Sequence, residues 1–174
     1  REHAIIRALK KSPKAETIYA LPGNGGIAAD AICVEGSATD IDRVVSFSKD
    51  NGIDFVVVAP DNPLVLGMVD ALNEAGIATF GPRANAAILE GSKVFSKNLM
   101  KKYGIPTARY ETFDDAHAAV AYIEKMNEYP VVIKADGLAL GKGVIIAQNF
   151  AEAQDAVKSI MEDKAFGASG NHIV

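Results

Sequence analysis

The sequence predicts an α/β protein in two parts. Residues 1–82 read as an open, mostly parallel sheet, residues 83–107 as a helical connector, and residues 108–174 as a small α+β module. Three observations carry this. Short β-branched runs alternate with helical patterns as far as Phe80, joined by glycine-bearing loops, which is the spacing of βαβ units. The alternation stops at Arg83, where two helical patterns follow one another around Gly91-Ser92. Beyond Thr107 the order becomes strand, helix, strand–loop–strand, helix, as in a module that packs helices on its own sheet.

Composition sets the outer limits. Of 174 residues, 49% are hydrophobic, enough for one large or two small cores. The net charge of −4 argues against a general nucleic-acid or membrane-surface binder, which needs a basic face. An anionic ligand would therefore be held by local glycines and a few placed cations. No apolar run approaches the ~20 residues of a membrane span, and no signal peptide opens the chain. The single cysteine, Cys33, excludes an internal disulfide and is expected to be an inert core residue of a strand.

Taken in order, Ala4, Ile5, Ala8 and Leu9 predict one face of an opening helix that lacks a cap at Arg1. A chain that starts on Arg1 and ends on the strand-like His172-Ile173-Val174 is expected to be a piece of a longer one. The first strand of its sheet would then lie ahead of Arg1. Thr17–Leu21 and Ala31–Val34 read as strands around the loop Pro22–Gly26. Asp40–Asn51 is a helix with Ile41, Val44, Val45 and Ser48 on one side. The apolar run Asp54–Ala59 suits a central parallel strand covered on both faces. Pro60–Pro63 then opens a helix over Leu64–Ala75, and Ala78–Phe80 is a further strand. Loops that follow strand ends, here Pro22–Gly26, Pro60–Pro63 and Gly81-Pro82, are where open parallel sheets bind ligands.

In the second part, helices are expected at Ala84–Glu90, Lys93–Tyr103, Asp114–Met126 and Phe150–Asp163, with a strand at Arg109–Phe113. The stretch Pro130–Gln148 carries the chemistry. Two β-branched runs, Val131–Ile133 and Val144–Ile146, flank a loop with Gly137, Gly141 and Gly143 and with Lys134 and Lys142 on either side of its tip. Glycines let backbone N–H groups converge on phosphate oxygens, and lysines supply the countercharge. The order differs from a Walker A loop, since a strand follows instead of a helix. A solvated hairpin loop is the plain alternative. For Lys93, on a helix with Lys97, Lys101 and Lys102, it is a solvated face. His3, His117 and His172 lack the spacing of a catalytic pair or metal site and are given no chemistry.

Four stretches together resemble one family. These are Arg1-Glu2-His3-Ala4, Pro22-Gly23-Asn24, Leu89-Glu90-Gly91-Ser92-Lys93 with Phe95, and Lys134–Ala139 followed by Gly141-Lys142-Gly143-Val144. The chain is similar throughout to the amino-terminal part of the glycinamide ribonucleotide synthetases (phosphoribosylamine–glycine ligases), ATP-grasp enzymes of purine biosynthesis. The resemblance implies a pre-ATP-grasp domain followed by an ATP-grasp lid subdomain, in a cytoplasmic enzyme. Lys93 and Lys134 would contact ATP phosphates, and Asp136, Gly137, Gly141, Lys142 and Gly143 would belong to the lid loop. Arg1, Glu2, Gly23, Asn24, Pro60 and Asp61 would border the 5-phosphoribosylamine site. Glycine is the other substrate, and Mg2+ or Mn2+ ligands would lie beyond Val174, so that this part alone would be inactive. The family commonly has Gly and Glu where this chain has Ala59 and Asp61. Another ATP-grasp ligase or carboxylase, or a non-catalytic nucleotide-binding module, is the alternative.

Overall fold

The computed structural model describes residues 1–139 and 142–174. The chain divides into two units, Arg1–Ala87 and Ile88–Val174.

The first unit is α/β with parallel pairing. Strand β1 (Tyr19–Ala20) pairs with β2 (Ile32–Cys33), and β3 (Phe55–Val57) with β4 (Ala78–Phe80), both in parallel. The expected single open sheet is thus seen as two pairs among the described residues. Helix α1 (Glu2–Leu9) precedes β1, and α2 (Ile41–Asp50) links β2 to β3. Asp40 caps α2 by accepting a hydrogen bond from the Arg43 N–H, which satisfies one of the free donors of the first turn. Val58, Met68, Val69, Leu72 and Ile77 form the core, with Ile41, Val44 and Val45 of α2 packed against it.

Three expectations need correction here. The run after β3 is two helices, α3 (Asp61–Val65) and α4 (Met68–Glu74), instead of one. Gly67 breaks it at φ +92, a left-handed conformation that glycine adopts without a Cβ clash. The buried side of α1 is centred on Ile6, flanked by Ile5 and Leu9, while Ala4 and Ala8 face solvent. The three larger side chains decide the rotation, because they remove more apolar area than the alanines. Strand β3 is not covered on both faces, since Phe55 is 54% exposed and Phe80, opposite Val57 on β4, 67%. The helices pack on the side of Val56 and Val58, leaving the alternate residues open.

The second unit is the α+β module. Helices α5 (Ala84–Gly91, its first turn still in the first unit) and α6 (Lys93–Lys102) are separated at Ser92, whose hydroxyl caps α6 through the Phe95 N–H. Asp115 caps α7 (Ala116–Met126) in the same way. Strands β5 (Val131–Lys134) and β6 (Val144–Ala147) pair antiparallel, with Val132 opposite Ile146 and Lys134 opposite Val144. Period-two alternation sends Ile133, Ala135 and Ala147 into the core against α7 and α8 (Phe150–Val157). Val132, Val144 and Ile146, on the other face, stay exposed, and Lys134 has the same parity as Val132. The final helix ends in a π-type turn over Lys158–Glu162.

The strand expected at Arg109–Phe113 is reduced to a bridge between Phe113 and Ile173, joined by two backbone hydrogen bonds of 3.0 and 2.9 Å. Residues before Phe113 are held by side chains instead, with the Tyr110 hydroxyl donating to the Lys97 carbonyl at 2.8 Å. Val174 pairs its backbone with Lys134 in both directions at 2.9 Å, consistent with the strand character read from the end of the sequence.

The turn Gly167–Asn171 packs against the π-type turn with no room to spare: a Cβ on the buried Gly170 would fall on the Ile160 carbonyl oxygen. Gly170→Ala should therefore lower the unfolding free energy by about 2–3 kcal/mol through overpacking. A denaturant midpoint equal to wild type would show that the turn is free to move.

Candidate active site

In the first unit, residues from four segments meet around the start of α1. Arg1 Nε lies 3.1 Å from Glu2 Oε1, and Arg1 Nη1 lies 3.4 Å from Asp61 Oδ1 at the start of α3. The hydrogen bond that Arg1 donates to Glu2, and then the charge of Asp61, raise the Arg1 pKa above its ordinary value. Glu2 is held below the usual carboxylate range, first by its own backbone N–H and then by Arg1. One residue on, His3 Nε2 is 2.8 Å from Asp30 Oδ2, and Lys10 Nζ is 2.7 Å from Asp30 Oδ1. Lys10 foremost, and His3 second, lower the Asp30 pKa to about 2.

The Pro22–Gly26 loop is shaped by two residues. Gly23 has φ +79, and a Cβ there would collide with Cys33 Sγ at 2.5 Å. Asn24 turns its Oδ1 back to accept from the N–H groups of Gly26 and Ile27, both at 3.0 Å, and so starts the short 3-10 turn Ile27–Ala29. Cys33 itself is exposed, not buried as expected, because β2 pairs on one side and presents both its residues to solvent. Pro60 ends the strand run with extended backbone and immediately precedes α3.

In the second unit the site is organised on Asp136. Its carboxylate accepts from Ser92 Oγ at 3.0 and 3.1 Å and from the Val94 N–H at 2.7 Å, which places a negative charge at the N-terminus of α6. Its N–H donates to the carbonyls of Ser169 and His172, both at 3.0 Å. Lys93, the first residue of α6, sends its Nζ to the carbonyls of Asp136 at 3.3 Å and Gly137 at 3.0 Å. Burial lowers the Lys93 pKa. Of the neighbouring charges, Asp136 raises it and Lys134 lowers it. The Lys93 ammonium thus sits where the glycine loop leaves β5, just beyond Lys134, the last residue of that strand.

Close packing fixes both ends of that loop. A Cβ on Gly137 would strike Ser169 Oγ, and one on Gly143 would lie 2.6 Å from Ala139 Cβ. Lys142 is exposed, and its N–H donates to the Ala139 carbonyl at 2.9 Å. Gly141 lies outside the described residues. Beside β5, a groove of about 390 Å3 is lined by Lys97, Tyr110, Met126, Val132, Lys134 and neighbours. Lys97 is committed to the fold: its Nζ donates to Thr107 Oγ1 at 2.7 Å and lies 4.9 Å from the Tyr110 ring centroid.

Comparison with known proteins follows this division. Residues 1–90 match the phosphoribosylglycinamide synthetase N domain, and residues 91–174 match the phosphoribosylglycinamide synthetase ATP-grasp (A) domain. The chain belongs to the phosphoribosylglycinamide synthetase family. It is 45% identical over 174 residues to the phosphoribosylamine–glycine ligase of Caldanaerobacter subterraneus subsp. tengcongensis. It is 49% identical over 177 residues to the chloroplastic ligase of Arabidopsis thaliana. All of this chain is covered in both cases, but only 42% and 33% of those proteins. The crystal structure of the Thermotoga maritima ligase superposes with a TM-score of 0.75 at 31% identity, over 99% of this chain and 40% of that one. A biotin carboxylase from Campylobacter jejuni reaches the same TM-score at 18% identity, over 98% of this chain and 42% of that one, a likeness of fold alone.

Within this family assignment, the sequence placed Lys93, Lys134, Asp136, Gly137 and Gly143 together, and the described residues of the hairpin and α6 do converge. Arg1, Glu2 and Asp61 also meet. Pro60 is their chain neighbour, and Gly23 and Asn24 shape the adjoining loop. What sequence reasoning missed is the Asp30 pairing with His3 and Lys10, since 27 and 20 residues of separation leave no motif. It also missed that Asp136 turns its carboxylate onto α6. Among the described residues, no group of three or more His, Cys, Asp or Glu side chains could hold a metal ion, and no helix is long and apolar enough to cross a membrane.

Replacing Asp136 with Ala removes a charged acceptor from Ser92 and the Val94 N–H, and should cost about 2–3 kcal/mol of stability. Urea denaturation checks it, and a loss below about 0.5 kcal/mol would mean that water replaces the carboxylate without penalty.

Proposed function

We propose that this chain is the amino-terminal part of a cytoplasmic phosphoribosylamine–glycine ligase. Such an enzyme joins glycine to 5-phosphoribosylamine with ATP and releases ADP and phosphate. The observation that carries the reading is the partly buried Lys93 ammonium on the Asp136 and Gly137 carbonyls, where the glycine-bearing loop follows Lys134, within a family whose second domain is of the ATP-grasp type. A partly desolvated ammonium is stabilised by a polyanion. The groove beside Val132 and Tyr110 offers apolar surface for a nucleoside. Arg1, Glu2, Gly23, Asn24, Pro60 and Asp61 would take phosphoribosylamine, and Gly137 to Gly143 would close over the phosphates.

The chemistry asks for these parts. A carboxylate becomes an electrophile once one of its oxygens carries a phosphoryl group. The amine of phosphoribosylamine then attacks the glycyl carbonyl carbon, the carbon–oxygen bond to phosphate breaks, and the attacking nitrogen loses a proton. Phosphoryl transfer depends mainly on positioning and on cations that offset the γ-phosphate charge, and that is the work given to Lys93 and Lys134. The acyl phosphate must be kept from water, a task suited to the glycine loop between Gly137 and Gly143. The Mg2+ or Mn2+ that accompanies ATP would find its carboxylate ligands on residues other than those described.

Two measurements on the full-length ligase test this. Lys134→Ala should weaken calorimetric binding of a magnesium–ATP analogue by about 2–4 kcal/mol, and ADP release should require both glycine and phosphoribosylamine. Unchanged binding would reduce Lys134 to a strand-end lysine, and ADP release indifferent to both substrates would favour the nucleotide-binding module. The second measurement concerns pH. In the free protein Lys93 gives up its proton more readily than an ordinary lysine, whereas bound phosphate favours the ammonium form. Nucleotide affinity should therefore fall as pH rises through that lowered pKa, with proton uptake on binding. Uptake should disappear in Lys93→Met, and uptake unaltered by that substitution would show that another group titrates.

A further inference from the structure

The proposed reaction leaves one imidazole beside Arg1 without a task. His3 stands in the first turn of α1, with its side chain 38% exposed. A carboxylate only accepts hydrogen bonds, so the 2.8 Å contact to Asp30 requires the hydrogen on His3 Nε2. In the neutral ring the lone pair then belongs to Nδ1. Asp30 is anchored from its other oxygen by Lys10, so the carboxylate that selects this tautomer is itself fixed.

The Nδ1 edge faces Gly26. A Cβ built on Gly26 would lie 3.5 Å from His3 Nδ1, 3.7 Å from Cε1 and 3.4 Å from Asn24 Oδ1. Gly26 has φ −71 and ψ −39, ordinary right-handed backbone open to any residue. Glycine at this position is therefore explained by the space it leaves, not by its conformation. Among the described residues Nδ1 makes no hydrogen bond, while the other acceptors nearby are engaged: Glu2 and Asp61 with Arg1, and Asn24 Oδ1 with Gly26 and Ile27.

We infer that His3 is a substrate-binding residue whose Nδ1, looking through the slot at Gly26, accepts a hydrogen bond from a hydroxyl or amine N–H of the phosphorylated aminosugar. This rests on the assignment of phosphoribosylamine to the Arg1 and Asn24 cluster. Asp30 and Lys10 act as positioning residues, holding the ring in the accepting tautomer. The contact forms in the ground state and persists through the reaction, so it contributes to KM and not to kcat.

Steady-state kinetics of the full-length ligase, with each substrate varied in turn, test the inference. Gly26→Ala adds a methyl at ordinary van der Waals distance and should cover Nδ1 without disturbing the loop. His3→Gln keeps a donor for Asp30 but lacks the acceptor at the Nδ1 position. Both should raise the KM for phosphoribosylamine about tenfold, as for one lost hydrogen bond. The KM values for glycine and ATP, the kcat and the denaturation midpoint should stay at wild type. His3→Asn, whose amide oxygen can occupy the Nδ1 position, should recover part of the lost affinity. An unchanged KM for phosphoribosylamine in Gly26→Ala and His3→Gln overturns the inference, as does an equal rise for all three substrates. The wild type decides the underlying reading separately: if its ADP release ignores phosphoribosylamine, that reading fails whatever the variants do.

Discussion

The second unit depends on the carboxylate of Asp136. Three pieces of chain distant in sequence reach this residue: the start of α6 through Ser92 and Val94, the end of β5 through its own backbone, and the turn at Ser169–His172 through its N–H. A helix begins with N–H groups that have no partner within the helix, and a charged acceptor both satisfies them and offsets the positive end of the dipole. Lys93 is the first residue of that helix. Its ammonium is therefore delivered to the carbonyls of Asp136 and Gly137, where a partly buried charge needs hydrogen-bond partners to be tolerated. The carboxylate at this strand end thus ties the start of α6, and with it Lys93, to the glycine loop, while the backbone of Lys134 and Asp136 ties in the end of the chain described.

The first unit has no comparable centre and achieves its arrangement by spacing. Parallel pairing within each two-stranded sheet brings the loop after β1 and the one after β3 each to the end where its strand finishes. Small residues then set how closely the segments approach. Gly23 lies against Cys33 and Gly26 leaves room before His3, while Asn24 converts the loop into the start of a short helix without a bulky cap. The polar groups are matched in two triplets, Arg1 between Glu2 and Asp61, and Asp30 between His3 and Lys10. This local matching lets an acidic chain present guanidinium, ammonium and imidazole groups in one small region.

The legible parts of this molecule are those written in short-range pattern. Asp40, Ser92 and Asp115 each precede a helix and each caps it, and the hairpin at β5–β6 was set by two β-branched runs around glycines. What could not be read has a long-range cause. The uncovered faces of Phe55 and Phe80 depend on which side the helices pack, and a continuous apolar run does not say so. The break at Gly67 sits in a stretch whose apolar spacing suits one continuous helix. Residues Arg109–Thr112 have the composition of a strand, yet Tyr110 and Lys97 settle them as an extended segment with a single bridge at Phe113. The Asp30 pairings join residues with no periodic relation. The resemblance supplied most of the candidate site, because a motif encodes the outcome of such long-range packing without deriving it.

The two acids near the candidate ligand groups, Asp61 and Asp136, differ in a way that bears on their roles. Asp136 accepts from both Ser92 and the Val94 N–H, the latter at 2.7 Å, from a part-buried position, so displacing it would leave donors of α6 without partners. Asp61 meets Arg1 at 3.4 Å through a single oxygen, with the two side chains 39% and 59% exposed. A long, monodentate, solvated ion pair contributes little to stability, whereas a guanidinium gains most from a planar, two-point partner such as phosphate or carboxylate. Asp61 also stands where the family commonly carries the longer Glu, and the shorter side chain still reaches Arg1, though only at the limit of hydrogen-bond distance. Such a contact orients Arg1 in the absence of a ligand and yields readily to a stronger anion. On the proposed reading, the firm contact belongs to the framework that holds the cations, and the loose one to the surface that takes the substrate.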